Sequence, residues 1–173
     1  MRTLRRLLLV AFATLLVLPA AAQDETSLPI LTVENLDASD REGFVFYSLA
    51  NNEIVDEDGA WDLAFQGTRI RVNGSAQILE IPFELVEEAP EEGYTEETED
   101  TSALPAANNQ GWYSYDPSSH TVEPIMDRTL VFQLANGGFA KVEVVDYYDV
   151  ATGTPRYYTF RYVYQADGTR MLK

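Results

Sequence analysis

Cysteine is absent from the 173 residues, and histidine occurs once, at position 120. No disulfide can brace the chain, no thiol nucleophile exists, and no site built on several histidines can form within one copy. The lack of cysteine also predicts that no lipid anchor follows the N-terminal leader. Cations are scarce: 12 Lys and Arg against 28 Asp and Glu give a net charge of −16. A surface of that sign repels nucleic acid and anionic membranes, which sets both aside as partners. No P-loop, no G-x-G-x-x-G turn and no G-x-S-x-G elbow is present, so the usual phosphate cradles and the hydrolase nucleophile are missing. Beyond the first 22 residues there is no apolar run long enough to cross a bilayer and no sustained 3.6-residue pattern.

Those first 22 residues read as a secretory leader. Arg2, Arg5 and Arg6 make a basic start, Leu7 to Leu18 an apolar stretch, and Ala20-Ala21-Ala22 a small-residue cleavage site before Gln23. The leader carries three arginines and no acid, so its removal takes the net charge from −16 to −19. Residues 23–29 are expected to form a disordered tail and 30–173 one domain. Export predicts a periplasmic, cell-surface or secreted location.

What the sequence has is short β-branched and aromatic runs separated by turn residues. The clearest are three runs between Thr129 and Gln165, divided by Asn136-Gly137-Gly138 and by Ala151-Thr152-Gly153-Thr154-Pro155. Leu130, Phe132 and Leu134 alternate on one face. So do Ala140, Val142 and Val144, with Lys141 and Glu143 opposite, and so do Tyr158, Phe160, Tyr162 and Tyr164. This period-two pattern predicts an antiparallel meander with one buried face. Upstream, strands are expected over 30–36, 43–50, 53–55, 60–65, 68–73 and, with Pro82 forcing an edge or an exit, 77–86. Two further short strands are expected at 112–116 and 120–125. Both faces of 43–50 are apolar, which marks an inner strand. The class is all-β: one domain of antiparallel sheets with short strands and hairpin turns. Residues 87–111 are acidic and poor in apolar side chains, and they predict a long mobile loop.

Chemistry-bearing constellations are few. Asp56-Glu57-Asp58-Gly59 with Asp62 lacks the twelve-residue spacing of a calcium loop and reads as an acidic turn. Carboxylates are abundant, but none stands in a context that would set a general acid apart from a base. The reading is a binding protein and not an enzyme. Ten tyrosines, eight phenylalanines and two tryptophans either fill a core or floor a flat apolar ligand site. His120 reads as a surface residue near a turn and also as the best nitrogen donor to a haem iron. Met126, six residues later, could supply a thioether. Trp61, Asp62, Gly74, Trp112, Gly137, Tyr158 and Phe160 are expected to be structural, with Trp61 buried.

Taken in order, several of these pieces resemble one family. Trp61-Asp62-Leu63-Ala64-Phe65, followed by Thr68 to Gly74, is similar to the WD-[IL]-[AG]-F…NG core of HmuY-like haem-binding proteins. Trp112-Tyr113-Ser114-Tyr115-Asp116, His120, Pro124, the run ANGGFAKVEVVDYY and YYTFRYVYQ extend the likeness, which covers Glu42 to Gln165. The resemblance implies an all-β exported protein that takes up haem or another porphyrin for iron acquisition. It implies two axial side chains, histidines in the founding member and methionines among relatives, and delivery to an outer-membrane receptor. Here His120 and Met126 are the ligand candidates. The sequence departs from the family in having no anchor cysteine, a single histidine and a shortened glycine-rich stretch after Asn73-Gly74. The other reading is a non-haem β-domain that binds a protein or glycan at the cell surface, or is structural.

Overall fold

The computed structural model describes residues 27–173. The expected leader and residues 23–26 of the expected tail lie outside the described residues. At the start of what is described, Leu28 donates its N–H to the Lys173 backbone oxygen at 2.8 Å and packs against a small apolar cluster.

The meander is the centre of a six-stranded antiparallel sheet. Its strands β10 (Thr129–Leu134), β11 (Phe139–Tyr148) and β12 (Pro155–Gln165) are flanked by β1 (Leu31–Asp37) on one side and by β6 (Gly74–Leu79) and β7 (Thr95–Glu96) on the other. Register aligns Leu31, Tyr162, Val142, Leu130 and Ile78 in one row across five strands. A four-stranded sheet, ordered β3 (Glu53–Val55), β2 (Val45–Ser48), β4 (Leu63–Gln66), β5 (Arg69–Val72), packs on it, with β2 inside as its two apolar faces predict. The hairpin β8 (Tyr113–Asp116) and β9 (Thr121–Pro124) completes the fold. Pro82 lies past the end of β6, where a single 3₁₀ turn, Phe83–Leu85, begins.

The main core fills the space between the two sheets. Phe65 stacks on Phe160 at 5.3 Å and tilts against Tyr158 at 5.0 Å, and Trp112 joins Tyr158 from the hairpin at 5.2 Å. Tyr158 and Tyr162 are fully buried, yet each hydroxyl finds a carbonyl, Gly67 and Leu49 respectively. Burial raises the pKa of Tyr47, Tyr94, Tyr147, Tyr158, Tyr162 and Tyr164 above the ordinary phenol value, to about 12 for Tyr94 and Tyr147. A raised folded-state pKa means that the folded state keeps protons the unfolded chain gives up. The stabilisation is complete below pH 10 and is lost as pH rises through the folded values. Thermal melts are therefore expected to show a lower midpoint at pH 11 than at pH 8. An unchanged midpoint would contradict the buried tyrosine core.

The expectation for Trp61 needs correction. Trp61 is half-buried rather than buried, because it precedes β4 on the solvent side while Leu63 and Phe65 turn inward. It tilts against Phe46 at 5.2 Å, and the core tryptophan is Trp112. Gly74 opens β6 opposite Leu134 with φ +144°. A Cβ there would stand 2.2 Å from the Gln133 carbonyl oxygen, so the close approach of two backbones requires glycine. Gly137 does sit in a hairpin turn, between β10 and β11, with φ +87°.

The acidic segment 87–111 is docked, not a free loop. Ala89 N–H donates to Arg170 O at 2.7 Å, Thr95–Glu96 pairs with β6, and Ala103 and Leu104 are buried. The Glu97 carboxylate takes Arg71 Nε–H at 2.9 Å and Ala103 N–H at 2.8 Å. Apart from Glu97 its glutamates face water, while its few small apolar residues face in, which composition alone does not separate. Together with the 3₁₀ turn, the start of this segment roofs the outer face of the six-stranded sheet and makes a second apolar cluster of Phe83, Val86 and Ala89 on Val131, Phe139 and Val163. Lys141 is consequently buried rather than solvent-facing.

Candidate functional site

His120 closes the turn between β8 and β9, where Asp116-Pro117-Ser118-Ser119 reverses the chain. The Asp116 carboxylate accepts from the Ser118 N–H and from both serine hydroxyls, and these bonds hold its pKa below the usual value. His120 itself takes a positive φ of 57° and is exposed. Its Nδ1 is hydrogen-bonded to the Tyr115 hydroxyl at 2.8 Å.

Met126 lies beyond the other end of β9, in the link to β10. The link is pinned by Ile125 N–H to Trp112 O at 2.9 Å and by Arg128, which donates to Gly111 O at 2.6 Å and pairs with Glu80. Backbone so fixed leaves Met126 84 % exposed, the most open large apolar residue among the described residues. With Pro124 and Ile125 it forms one wall of a cleft of about 600 Å³. The floor is the outer face of β1, β11 and β12, carrying Thr32, Val145 and Thr159, with Glu34, Glu143 and Arg161 at the charged rim. Arg161 is held between Glu143 at 2.5 Å and Glu84 at 2.6 Å.

The structure does not bring the two ligand candidates together. Five residues, the four of β9 and Ile125, lie between them, and six steps of about 3.3 Å make roughly 20 Å of extended chain. His120 faces Tyr115 and does not line the Met126 cleft. Axial donors must meet at one iron, so a His120/Met126 pair within one copy does not fit a haem. Met126 stands alone as a soft donor at the cleft, whose lining holds no imidazole and no second sulfur. Among the described residues, no cluster of three His, Cys, Asp or Glu could hold a metal ion.

Asp62, of the Trp61-Asp62 pair, is buried and has a fastening role. One oxygen accepts from Leu49 N–H at 2.8 Å and the other from Asn136 Nδ2 at 3.1 Å, which ties the β2–β3 turn to the β10–β11 turn. Burial raises its carboxyl pKa against the pull of the Leu49 and Ala50 N–H groups.

A profile of the HmuY protein family matches residues 40–162. The chain belongs to the HmuY family. Solved structures agree on the fold. A protein from Bacteroides vulgatus described as HmuY-like and heme binding is 19% identical, covers 82% of this chain and 94% of its own, and superposes with a TM-score of 0.57. The apo HmuY analog of Tannerella forsythia is 14% identical, covers 80% of this chain and 95% of its own, with a TM-score of 0.56. A lipoprotein from Bacteroides fragilis is 17% identical over 82% of this chain and 91% of its own, with a TM-score of 0.54. None of the curated proteins matches the chain. The HmuY fold thus supplies the frame in which Met126 and its cleft sit. Sequence reasoning missed the cleft floor, since Val145 and Thr159 lie on the polar-reading phase of their strands.

Proposed function

We propose that this HmuY family member is an exported carrier of haem or a related porphyrin, which it holds by side-chain ligation for iron acquisition without transforming it. The observation that carries this reading is the Met126 thioether, presented almost fully exposed at the lip of an apolar cleft in a chain of this family. The cleft is of ordinary ligand-pocket size. A thioether is a soft donor that favours the ferrous state of a bound haem iron. His120 takes no part in this site, and an outer-membrane receptor would receive the cargo.

The test is a titration of wild type, Met126→Ala and His120→Ala with hemin, oxidised and dithionite-reduced, followed at the Soret band. Met126→Ala is expected to shift the band and weaken binding by about tenfold or more, the scale on which losing a ligand-shell group acts. His120→Ala is expected to match wild type. If the two variants exchange these behaviours, the ligand assignment is wrong. If wild type gives no Soret change in either oxidation state, the chain is not a haem carrier and the protein- or glycan-binding reading takes its place.

A further inference from the structure

Three turns meet around Asp62. Asn51 stands in the β2–β3 turn, Asn73 in the link from β5 to β6, and Asn136 in the β10–β11 turn. With Ser48 and Trp61 they wall a cleft of about 190 Å³ in which Asp62 is the only charged side chain. The cleft shares no residue with the Met126 cleft. It is smaller than the roughly 300 Å³ at which drug-sized pockets begin, and it suits one small ring. Trp61 is its apolar wall. The indole ends a line of half-buried rings on the outer face of the four-stranded sheet, with Phe46 at 5.2 Å and Phe44 a further 6.4 Å on. The Arg69 and Arg71 guanidiniums cover the Phe44 end at 4.9 and 5.6 Å, and Glu97 holds Arg71. The Trp61 end borders the cleft.

The polar groups around this indole are only partly used. Asn73 donates one Nδ2 proton to Trp61 O at 3.1 Å. Asn136 donates to Asp62 and to the Tyr164 hydroxyl, while its Oδ1 accepts from Gly138 N–H. N–H groups of Leu49, Ala50 and Asn136 occupy the Asp62 carboxylate, which has about four acceptor sites in all. Ser48 accepts the Asn51 N–H at 3.3 Å, but its own hydroxyl proton has no acceptor among the described residues, although the residue is 1 % exposed. The Asn51 side-chain amide and Asn73 Oδ1 likewise make no bond among the described residues. A buried donor without an acceptor is costly, so the Ser48 proton marks a place where a bound group would be stabilised.

Free donors and free acceptors thus surround one aromatic wall. A saturated ring with C–H faces and hydroxyls along its edge matches that set, because every hydroxyl both donates and accepts. The Asp62 charge is already met by N–H donors, and the net charge of −16 turns anions away. We propose that this cleft binds a single neutral hexose, with its C–H face on Trp61 and its hydroxyls on Ser48, Asn51, Asp62 and Asn73. The proposal goes beyond the carrier reading and does not rest on it: a failed hemin titration leaves it untouched.

The probes are D-galactose, whose axial 4-hydroxyl leaves an apolar C–H patch on the other ring face, and methyl β-D-galactoside. Each is titrated into the purified protein and followed by saturation-transfer NMR and by indole fluorescence. Cyclohexanol, a ring without the hydroxyl set, and D-galacturonate, an anion, serve as comparisons and are expected not to bind. The variants are Trp61→Ala, Trp61→Phe and Asn51→Ala, with folding checked by circular dichroism; the Asn51 side chain has no partner to lose. Affinity is expected to fall about tenfold or more in Trp61→Ala, to recover in part in Trp61→Phe, and to fall about fivefold in Asn51→Ala, the scale of one neutral hydrogen bond. Binding of the glycoside as well as the free sugar supports the cleft as a seat for the end of a glycan, and binding of the free sugar alone supports it as a monosaccharide site. No binding of either sugar by wild type overturns the proposal. So does equal binding by wild type and folded Asn51→Ala, or cyclohexanol binding as tightly as galactose.

Discussion

Trp112→Ala is expected to lower folding stability by roughly 3–5 kcal/mol, the range for emptying a core aromatic site. The indole is 3 % exposed and donates Nε1–H to Thr68 O at 2.9 Å, which ties the β8–β9 hairpin to the β4–β5 turn. Its ring meets Tyr113, Tyr147 and Tyr158 at 5.0, 5.4 and 5.2 Å. Truncation would therefore open a cavity among three tyrosines and leave the Thr68 carbonyl without its donor. Trp61→Ala should cost less, about 1–2 kcal/mol, because only part of that ring leaves water on folding. Urea unfolding of both variants, followed by circular dichroism, gives the comparison directly. A larger loss for Trp61 than for Trp112 would reverse the assignment of the core tryptophan.

The tryptophans show what periodicity reads well and what it does not. Leu130, Phe132, Leu134, Ala140, Val142, Val144, Tyr158, Phe160 and Tyr162 all fall in the core that their alternation predicts, because strands force successive side chains to opposite faces. Trp61 and Trp112 each stand just before a strand, where the alternation is not yet fixed. Nothing local decides which of them turns inward. Gly74 shows a different limit. Asn73-Gly74-Ser75 has the composition of a turn, but the glycine is needed because two strands approach closely at its Cα, a fact of tertiary packing.

The site was less legible than the fold. His120 attracts notice as the sole imidazole, but its role depends on where a hairpin tip points. Met126 stands out in sequence only as a thioether six residues after His120, and its exposure follows from Arg128 and Trp112 holding its link. Phe44 and Phe46 were visible as the second apolar phase of an inner strand. That they face solvent beside Arg69 and Arg71 required the order β3-β2-β4-β5.

Lys141 carries the second large effect. Alternation places it with Glu143 on a solvent face, yet it is 4 % exposed. Its Nζ donates to Phe83 O at 3.0 Å and Val86 O at 2.8 Å, and lies 4.5 Å from the Phe83 ring centroid. Burial lowers the pKa of the ammonium, while Glu84 and Glu87 draw it up. The side chain is the fastener of the 3₁₀ turn, and the start of the acidic segment follows directly. Lys141→Ala is expected to destabilise by roughly 1–3 kcal/mol for the buried Val86 carbonyl that loses its donor, with a further loss for the missing stem. Lys141→Met keeps the stem and isolates the first contribution. The local readout is digestion with a Glu-specific protease: wild type should be cut slowly between Glu84 and Glu97, and both variants faster there than elsewhere. Glu84 also braces Arg161 at the rim of the Met126 cleft at 2.6 Å, so loosening the segment should weaken hemin binding in parallel with the rise in cleavage. If wild type is cut at Glu87 as fast as an unfolded peptide, the segment is not docked. If cleavage rises in the variants while hemin binding stays constant, the cleft does not depend on this brace.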